Sequence, residues 1–263
     1  MDTNRNDTPG DTPNGATLRS LERTFTLIKE LERRDGAGVT ELAEAVDLSK
    51  SSVHKHLTTL RAGDFVRKDG DRYSLGLRFL DIGGYVRNQL EGNTLVQTKL
   101  REIAAESGET VQFTVEEHGR AVVLYRETGT QGVFSRGRVG KRFYMHQTAA
   151  GKAILSQMPT SRVREIVEQH GLPAATKNTI TSEEELLETL ETARERGFTL
   201  NRGESTRGLH AVAVPISAPN DAILGAFAVA GPVHRLNGET IEETIPNLIH
   251  RGVNELELNL AHS

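Results

Sequence analysis

The chain has 263 residues, 36% of them hydrophobic, and a formal net charge of −4, which as a prior fits two globular domains. No apolar run approaches the ~18 residues of a membrane span, and the absence of cysteine excludes disulfides, thiolate metal sites and thiol redox sensing. Arg outnumbers Lys by 24 to 8. With no cysteine, that bias points to a high-salt organism such as a haloarchaeon, although −4 is a mild charge for one.

Residues 1–16 are polar, with Pro9, Gly10, Pro13 and Gly15 and no apolar core of a leader sequence. They read as a disordered tail, and the protein as cytoplasmic. Leu18, Leu21, Phe25, Ile28 and Leu31 form a helical stripe that stops near Asp35-Gly36. Thr40 to Val46 is a short helix with Leu42, Ala43 and Val46 on one face, and Asp47-Leu48 is a turn with Leu48 as its buried anchor. Ser49 caps the next helix, in which Val53, Leu57 and Leu60 face inward. Lys50, Ser51, Ser52, His54 and Lys55 are left facing outward near its N-terminus, the end from which a recognition helix presents base-reading and phosphate-binding groups. Phe65 to Leu75 is a hairpin about Asp69-Gly70, made basic by Arg67, Lys68 and Arg72. Helix, turn, polar-faced helix and basic hairpin, in that order, predict a winged helix-turn-helix over 17–76 that binds double-stranded DNA. The competing reading is a three-helix module with a solvated charged face. Residues 17–92 hold 13 Lys+Arg against 12 Asp+Glu, so any positive surface must arise by arrangement.

Leu77 to Leu90 is an apolar-faced linker helix, assigned to 77–93 and interrupted by Gly83-Gly84. Two glycines lower helix propensity by about 1 kcal/mol each, so a close contact there, such as a symmetry mate, is expected. From Thr94 a second domain begins. Leu95–Ser107 is a helix, Thr110–Val115 and Ala121–Tyr125 are strands of a hairpin, and Gly132–Ser135 is ambiguous. Thr148–Met158, Thr160–His170 and Ser182–Arg196 are helices, the last opened by a Ser182/Glu185 capping box. Phe198–Leu200, His210–Ile216 and Ala222–Ala230 are strands, and Glu239–Leu260 is a helix kinked at Pro246. Because the first strand pair is a hairpin, an antiparallel sheet with flanking helices is expected over 94–263, an α+β class rather than a doubly wound sheet.

Thr148 to Lys152 opens a helix with small residues Ala149, Ala150 and Gly151. Exposed N–H groups and a partial positive charge at such an end suit a carboxylate. The same small residues would equally serve tight helix-on-sheet packing. Gly151-Lys152 lacks the rest of a P-loop. No nucleophile elbow or catalytic carboxylate pair is present. His54 and His56, two residues apart on a helix, cannot share a metal. Neither an enzyme nor a cofactor or metal protein is expected.

Ser51–Leu60 with Gly63 and Tyr73–Gly76, His146–Leu155, and Gly197–Glu204 with Gly208–Pro215 and Ala226–Pro232 together resemble the IclR-type transcriptional regulators, from about Leu18 to the C-terminus. The resemblance implies a winged helix-turn-helix, a linker helix and a GAF/PAS-like effector-binding domain. It also implies homodimers or homotetramers that act on palindromic operators as repressor or activator. By position it implies an effector pocket walled by Phe134, Phe143, Met145, His146, Asn201, Glu204, His210, Ala211, Ala228 and Ala230. Where some relatives carry Asp, Ser or Cys at four of these positions, this chain has Asn201, Ala211, Ala228 and Ala230. That favours a small organic acid with an apolar or aromatic body over the smallest polar acids. Ordinary core for Phe143, Met145 and the alanines, a surface ion pair for Glu204, and internally satisfied rings for His146 and His210 stand as alternatives. So does a C-terminal domain that serves only oligomerisation.

Overall fold

Two compact units divide the chain at Leu90–Glu91 in the computed structural model, which describes residues 17–90, 92–132, 137–220 and 222–262. The expected tail at 1–16 and most of the ambiguous segment at 132–135, Phe134 included, lie outside the described residues.

In the first unit, α1 (Arg19–Arg33), β1 (Ala37–Gly38), α2 (Val39–Val46), α3 (Lys50–Ala62), β2 (Val66–Asp69), β3 (Arg72–Leu75) and α4 (Arg78–Asn88) follow one another. Leu27, Leu31, Leu42, Val53, Leu57, Val66 and Tyr73 make its core. The sharp bend after α2 is made by Asp47, which takes a left-handed conformation at φ 50°. Leu48 packs half-buried against the core. The Ser49 hydroxyl accepts the Ser52 N–H at 3.2 Å and so opens α3 as expected. The wing turn is displaced by one residue from its sequence reading: Asp69 pairs with Arg72, leaving Gly70-Asp71 as the two-residue loop. Gly70 has φ +56°, which suits a glycine at the first loop position.

Two expectations about apolar faces are corrected. The stripe on α1 divides: Leu31 is buried and Ile28 half-buried, whereas Leu18, Leu21 and Phe25 stand in solvent, and Leu27, outside the stripe, fills the core instead. Helix α4 buries none of its residues within this unit. Only its first turn has an aromatic contact, with Phe79 edge-on to Phe65 at 5.0 Å. A Cβ added at Gly83 or Gly84 would meet nothing within 4 Å among the described residues, so nothing in this unit supplies the close contact expected there.

The second unit is an antiparallel six-stranded sheet, ordered β6-β5-β4-β9-β8-β7. Its strands are β4 (Thr110–Glu117), β5 (Arg120–Thr128), β6 (Arg142–Tyr144), β7 (Thr199–Arg202), β8 (Leu209–Ser217) and β9 (Ile223–Pro232). With the helices this makes the chain α+β. Helices α5 (Asn93–Ser107) and α9 (Ile245–Ala261) pack on each other and on the sheet. Helix α6 (Ala149–Ser156) lies across β4, β7, β8 and β9, backed by α8 (Glu183–Arg196), with α7 (Thr160–His170) against α8. Strand alternation sorts the side chains. Ala121, Ala213, Ala226 and Ala228 join α6 in one core cluster, while Phe113 and Phe227, of opposite parity, meet edge-on at 5.7 Å. Small residues on the α6 side let that helix come close and leave room beneath its start.

Strand β6 and the short 3-10 turn Met145–Gln147 were absent from the sequence reading. The closing helix runs unbroken from Gly238, with a π turn over Thr240–Thr244 immediately before Pro246, the kind of local irregularity that accompanies a proline inside a helix. Of the expected Ser182/Glu185 box, the Ser182 hydroxyl accepts the Glu185 N–H at 3.5 Å.

Candidate functional site

On α3, Lys50, Ser51, His54 and Lys55 are exposed and Ser52 is half-exposed. The opposite face holds Val53, Leu57 and Leu60 in the core. His56 is used internally, its Nδ1 2.9 Å from the Thr24 hydroxyl on α1. The wing contributes two exposed cations on β2. Arg67 donates to the Ser74 hydroxyl at 2.8 Å, and Lys68 lies 5.5 Å from the Tyr73 ring. Arg72 differs: its guanidinium donates to the Gly36 carbonyl at 2.6 Å and stands 3.6 Å from Glu41. Glu41 in turn accepts the Gly38 N–H at the start of α2. Arg72 therefore ties the wing to β1 and α2, and Arg67 and Lys68 are the more available cations.

In the second unit a cavity of about 80 Å³ opens beneath the start of α6. Eight of the residues expected at the pocket line it: Phe143, Ala149, Ala150, Asn201, His210, Ala211, Ala228 and Ala230. Asn201, Ala211 and Ala230 are neighbours across β7, β8 and β9, and Phe143 on β6 faces in from beside Ala121. Thr148 caps α6, its hydroxyl accepting the Gly151 N–H at 2.9 Å. The N–H groups of Ala149 and Ala150 find no acceptor among the described residues. The His210 Nδ1 lies 2.7 Å from the Leu236 carbonyl. A carbonyl only accepts, so Nδ1 carries the proton and Nε2 is left as the ring's other polar edge.

Met145, His146, Gly151 and Glu204 were expected at the site but do not line the cavity. Met145 is buried in the cluster behind α6. His146 donates from Nε2 to the Pro173 carbonyl at 3.1 Å, and burial lowers its pKa to about 4, with the Lys152 and Arg120 charges acting the same way. Gly151 serves packing: a Cβ there would fall 2.2 Å from the Met145 carbonyl oxygen, and its N–H already belongs to Thr148. Glu204 is not in a surface pair with its neighbouring arginines but in a buried one, accepting from the Lys152 ammonium. Burial pushes the Lys152 pKa down, and Glu204 opposes that shift. Asn201 is also committed, donating to the Gln147 carbonyl at 2.6 Å and accepting the Glu204 N–H at 3.1 Å.

The sequence reading missed Gln112, Thr114, Ser205 and Thr206 in the wall. The first two were legible from strand parity, as polar residues alternating with Val111 and Phe113. The other two lie on a loop that carries no periodic signal. The wall is thus more polar than expected, and among the described residues it contains no Lys, Arg, Asp or Glu. An anion there would meet N–H dipoles, hydroxyls and amides rather than an opposite charge. Among the described residues no group of three His, Cys, Asp or Glu side chains could hold a metal, and no helix is long and apolar enough to cross a membrane.

Two family models match the chain: "IclR helix-turn-helix domain" over residues 20–70 and "Bacterial transcriptional regulator IclR C-terminal" over residues 88–253. A Halobacterium salinarum protein named "Probable HTH-type transcriptional regulator ArcR" is 28% identical over 247 residues, covering 92% of this chain and 94% of that protein. The crystal structure of the Thermotoga maritima IclR is 26% identical with a TM-score of 0.76, covering 93% of this chain and all of that one. An IclR homologue from Microbacterium hydrocarbonoxydans, crystallised with 4-hydroxybenzoate, shares the fold at 20% identity and a TM-score of 0.77, with coverage of 93% and 100%.

Proposed function

The chain belongs to the IclR family of DNA-binding transcriptional regulators, and from that premise we propose that a small organic acid, bound under the start of α6, controls its hold on DNA. The observation that carries this reading is the pair of N–H groups at Ala149 and Ala150 that have no acceptor among the described residues, opening into a cavity of neutral polar groups and alanines. A carboxylate placed there would accept two charge-assisted hydrogen bonds and meet the positive end of α6. The cavity, at about 80 Å³, is roughly half the ~150 Å³ that accepts a benzene ring. A short aliphatic acid fits it as it stands, and an aromatic acid such as the one bound by the Microbacterium homologue requires the walls to part.

On the DNA side, Lys50, Ser51, Ser52, His54 and Lys55 read the major groove, and Arg67 and Lys68 contact phosphate. The exposed Leu18, Leu21 and Phe25 on α1 and Leu77, Leu80, Tyr85 and Val86 around α4 supply the contact between two copies, as apolar patches of that kind commonly do. A dimer presents two recognition helices to a palindromic operator.

Calorimetry against a panel of short carboxylates, with the matching neutral amides as controls, tests the effector reading. The acids should bind and the amides should not, and Ala150→Asp should abolish binding while operator affinity persists. Equal binding of acid and amide, or affinity undisturbed by Ala150→Asp, would refute it.

A further inference from the structure

In the wall of the cavity under α6, Thr114 stands out by what it lacks. It is 3% exposed and lines the cavity, yet its hydroxyl has no hydrogen-bond partner among the described residues. Other buried hydroxyls are committed to backbone: Ser156 donates to the Ala153 carbonyl at 2.7 Å, Thr179 to the Glu204 carbonyl at 2.6 Å and Thr199 to the Ala149 carbonyl at 2.7 Å. A buried hydroxyl left unpaired forfeits its hydration with nothing in return. Strand formation does not call for that loss, since valine has the same branched shape and β preference and leaves no polar atom unpaired. Ser205 and Thr206, also in the wall, are half-exposed, so solvent reaches them and they carry no such signal.

The sheet aims that hydroxyl at the cavity. Thr114 pairs with Ala226 on β9 and with Val123 on β5, and paired positions present their side chains on one face. Ala226 belongs to the cluster under α6, and Val123 lines the cavity. The register of β4 against β5 shifts at this point: Phe113 pairs with Tyr125 and Thr114 with Val123, so Leu124 is passed over. A bulge of this kind re-aims side chains, and here it sets the smaller Val123 beside Thr114. Both lateral neighbours are therefore apolar. Two positions back along β4, the Gln112 amide already donates to the Gly137 carbonyl at 3.1 Å. The start of α6 is tied to the far side of the sheet, where Asn201 and Thr199 on β7 donate to the Gln147 and Ala149 carbonyls. Strands β9 and β8 lie between β4 and β7. The Ala149 and Ala150 N–H groups and the Thr114 hydroxyl thus mark two polar ends of one cavity, with Ala228 and Ala230 of β9 between them.

We infer that Thr114 is the specificity-determining residue of the cavity, and that the acid it selects carries a hydroxyl or carbonyl oxygen remote from its carboxylate. The carboxylate lies at the Ala149 and Ala150 N–H groups and the second oxygen at the Thr114 hydroxyl. The inference rests on the effector reading above and adds a second anchoring point with its residue. A threonine hydroxyl both donates and accepts, so it serves a ligand carbonyl as donor and a ligand hydroxyl as acceptor. An unsubstituted acid leaves it unpaired in a closed site. Sites that hydrogen-bond a ligand oxygen discriminate strongly against the analogue that lacks it. Because the two polar ends stand over different strands, an oxygen on the carbon next to the carboxylate does not reach Thr114.

The experiment is calorimetric titration of the full-length chain with butyrate, 2-hydroxybutyrate, 3-hydroxybutyrate and 4-hydroxybutyrate, and with pentanoate against 4-oxopentanoate. At least one of the three acids with a remote oxygen should bind about tenfold or more tightly than its parent, a gap of roughly 1.4 kcal/mol, and 2-hydroxybutyrate should not. A gain with a hydroxy acid assigns Thr114 as acceptor, and one with the oxo acid assigns it as donor. In Thr114→Val the gain should vanish while affinity for the parent acid stays within about threefold, and Thr114→Ser should keep it. The free protein gives a second readout. Thr114→Val gives up no internal hydrogen bond, so its melting temperature should equal or exceed that of the wild type, whereas a hydroxyl with a structural role would make the variant melt lower. Parent acids bound with no gain from a remote oxygen, a gain that persists in Thr114→Val, or a Thr114→Val protein that melts several degrees lower would overturn the role of Thr114 and leave the effector reading standing. Binding by none of the six acids would overturn both.

Discussion

Removing the charge of Glu204 while keeping its shape tests how the effector domain is held around its cavity. Lys152 is 1% exposed and Glu204 8%, and the ammonium donates directly to the carboxylate. In Glu204→Gln the ammonium keeps a hydrogen-bond acceptor but loses its counter-charge in a site with little water. Breaking a buried pair from one side costs about 3–5 kcal/mol. A ceiling comes from the alternative of deprotonating the lysine: from an ordinary pKa near 10.4, neutralising it at pH 7 costs about 5 kcal/mol at 1.36 kcal/mol per unit. The loss should therefore lie at about 3–5 kcal/mol and should ease as pH rises. The folded-state pKa of Lys152 is then depressed, so between it and ~10.4 the unfolded chain binds the extra proton, and stability climbs with pH through that window. Lys152→Met/Glu204→Gln removes the stranded charge and should recover most of the loss, because buried pairs replaced together are close to neutral. Urea unfolding at pH 7 and pH 9, with hydrogen exchange of α6 amides to localise the change to this unit, measures all three variants. A loss below about 1 kcal/mol in Glu204→Gln, or a double variant no more stable than that single one, would mean that the pair is effectively solvated and that the reasoning is wrong.

Three further outcomes are expected. Arg67→Ala/Lys68→Ala should weaken binding to all DNA sequences and flatten the salt dependence by up to ~2 units in slope, whereas Arg72→Ala should chiefly lower the melting temperature, since that side chain holds Gly36 and Glu41; mobility-shift and melting measurements separate the two. Leu80→Glu with Val86→Glu, placed on the exposed face of α4, should convert a dimer or tetramer into monomer by light scattering, and a wild-type chain that is strictly monomeric at micromolar concentration with operator binding intact would refute that face as an interface. For His146 the folded pKa of about 4 lies below its ordinary 6.5, so the unfolded chain takes up the proton first on acidification; stability should fall between pH 6.5 and 4 by about 3 kcal/mol, and His146→Gln should flatten that part of the profile.

How much of this was legible beforehand varied with the kind of signal. The core stripe Val53, Leu57, Leu60 and the caps at Ser49 and Thr148 are local and periodic, and the folded chain uses them as read. The α+β class followed from a single hairpin at 110–125. Strand β6 was missed because three residues, Arg142 to Tyr144, carry no alternation to read. Leu18, Leu21 and Phe25 have the right period for a core face, yet they are exposed, because periodicity says that a face is apolar and not what covers it. Gly151 was read as room for a ligand, while its missing Cβ makes room for the Met145 carbonyl, a contact that only the 3-10 turn before α6 creates. Glu204 has Arg202 and Arg207 as sequence neighbours, but its partner is Lys152, 52 positions away. Pairing of that range is set by the sheet and leaves no mark on local sequence.

The Lys152–Glu204 pair also bears on how tightly an acid can bind. Lys152 lies in the first turn of α6, close in sequence to the free N–H groups, and would be the natural counter-charge for an anion there. Held by Glu204, it offers no net charge to the cavity. A carboxylate is left with two hydrogen bonds of about 1.5–3 kcal/mol each and about 1 kcal/mol from the helix end, some 4–7 kcal/mol in all. Immobilising a small molecule costs at least about 4 kcal/mol. Polar anchoring at Ala149 and Ala150 therefore offsets the cost of capture and leaves little over. On the proposed reading, burial against Phe143 and Val123 and hydrogen bonds to Gln112, Thr114, Ser205 and Thr206 would decide which acid is recognised. A wall without charge among its described residues would fix where one carboxylate sits and leave selectivity among acids to the rest of the molecule.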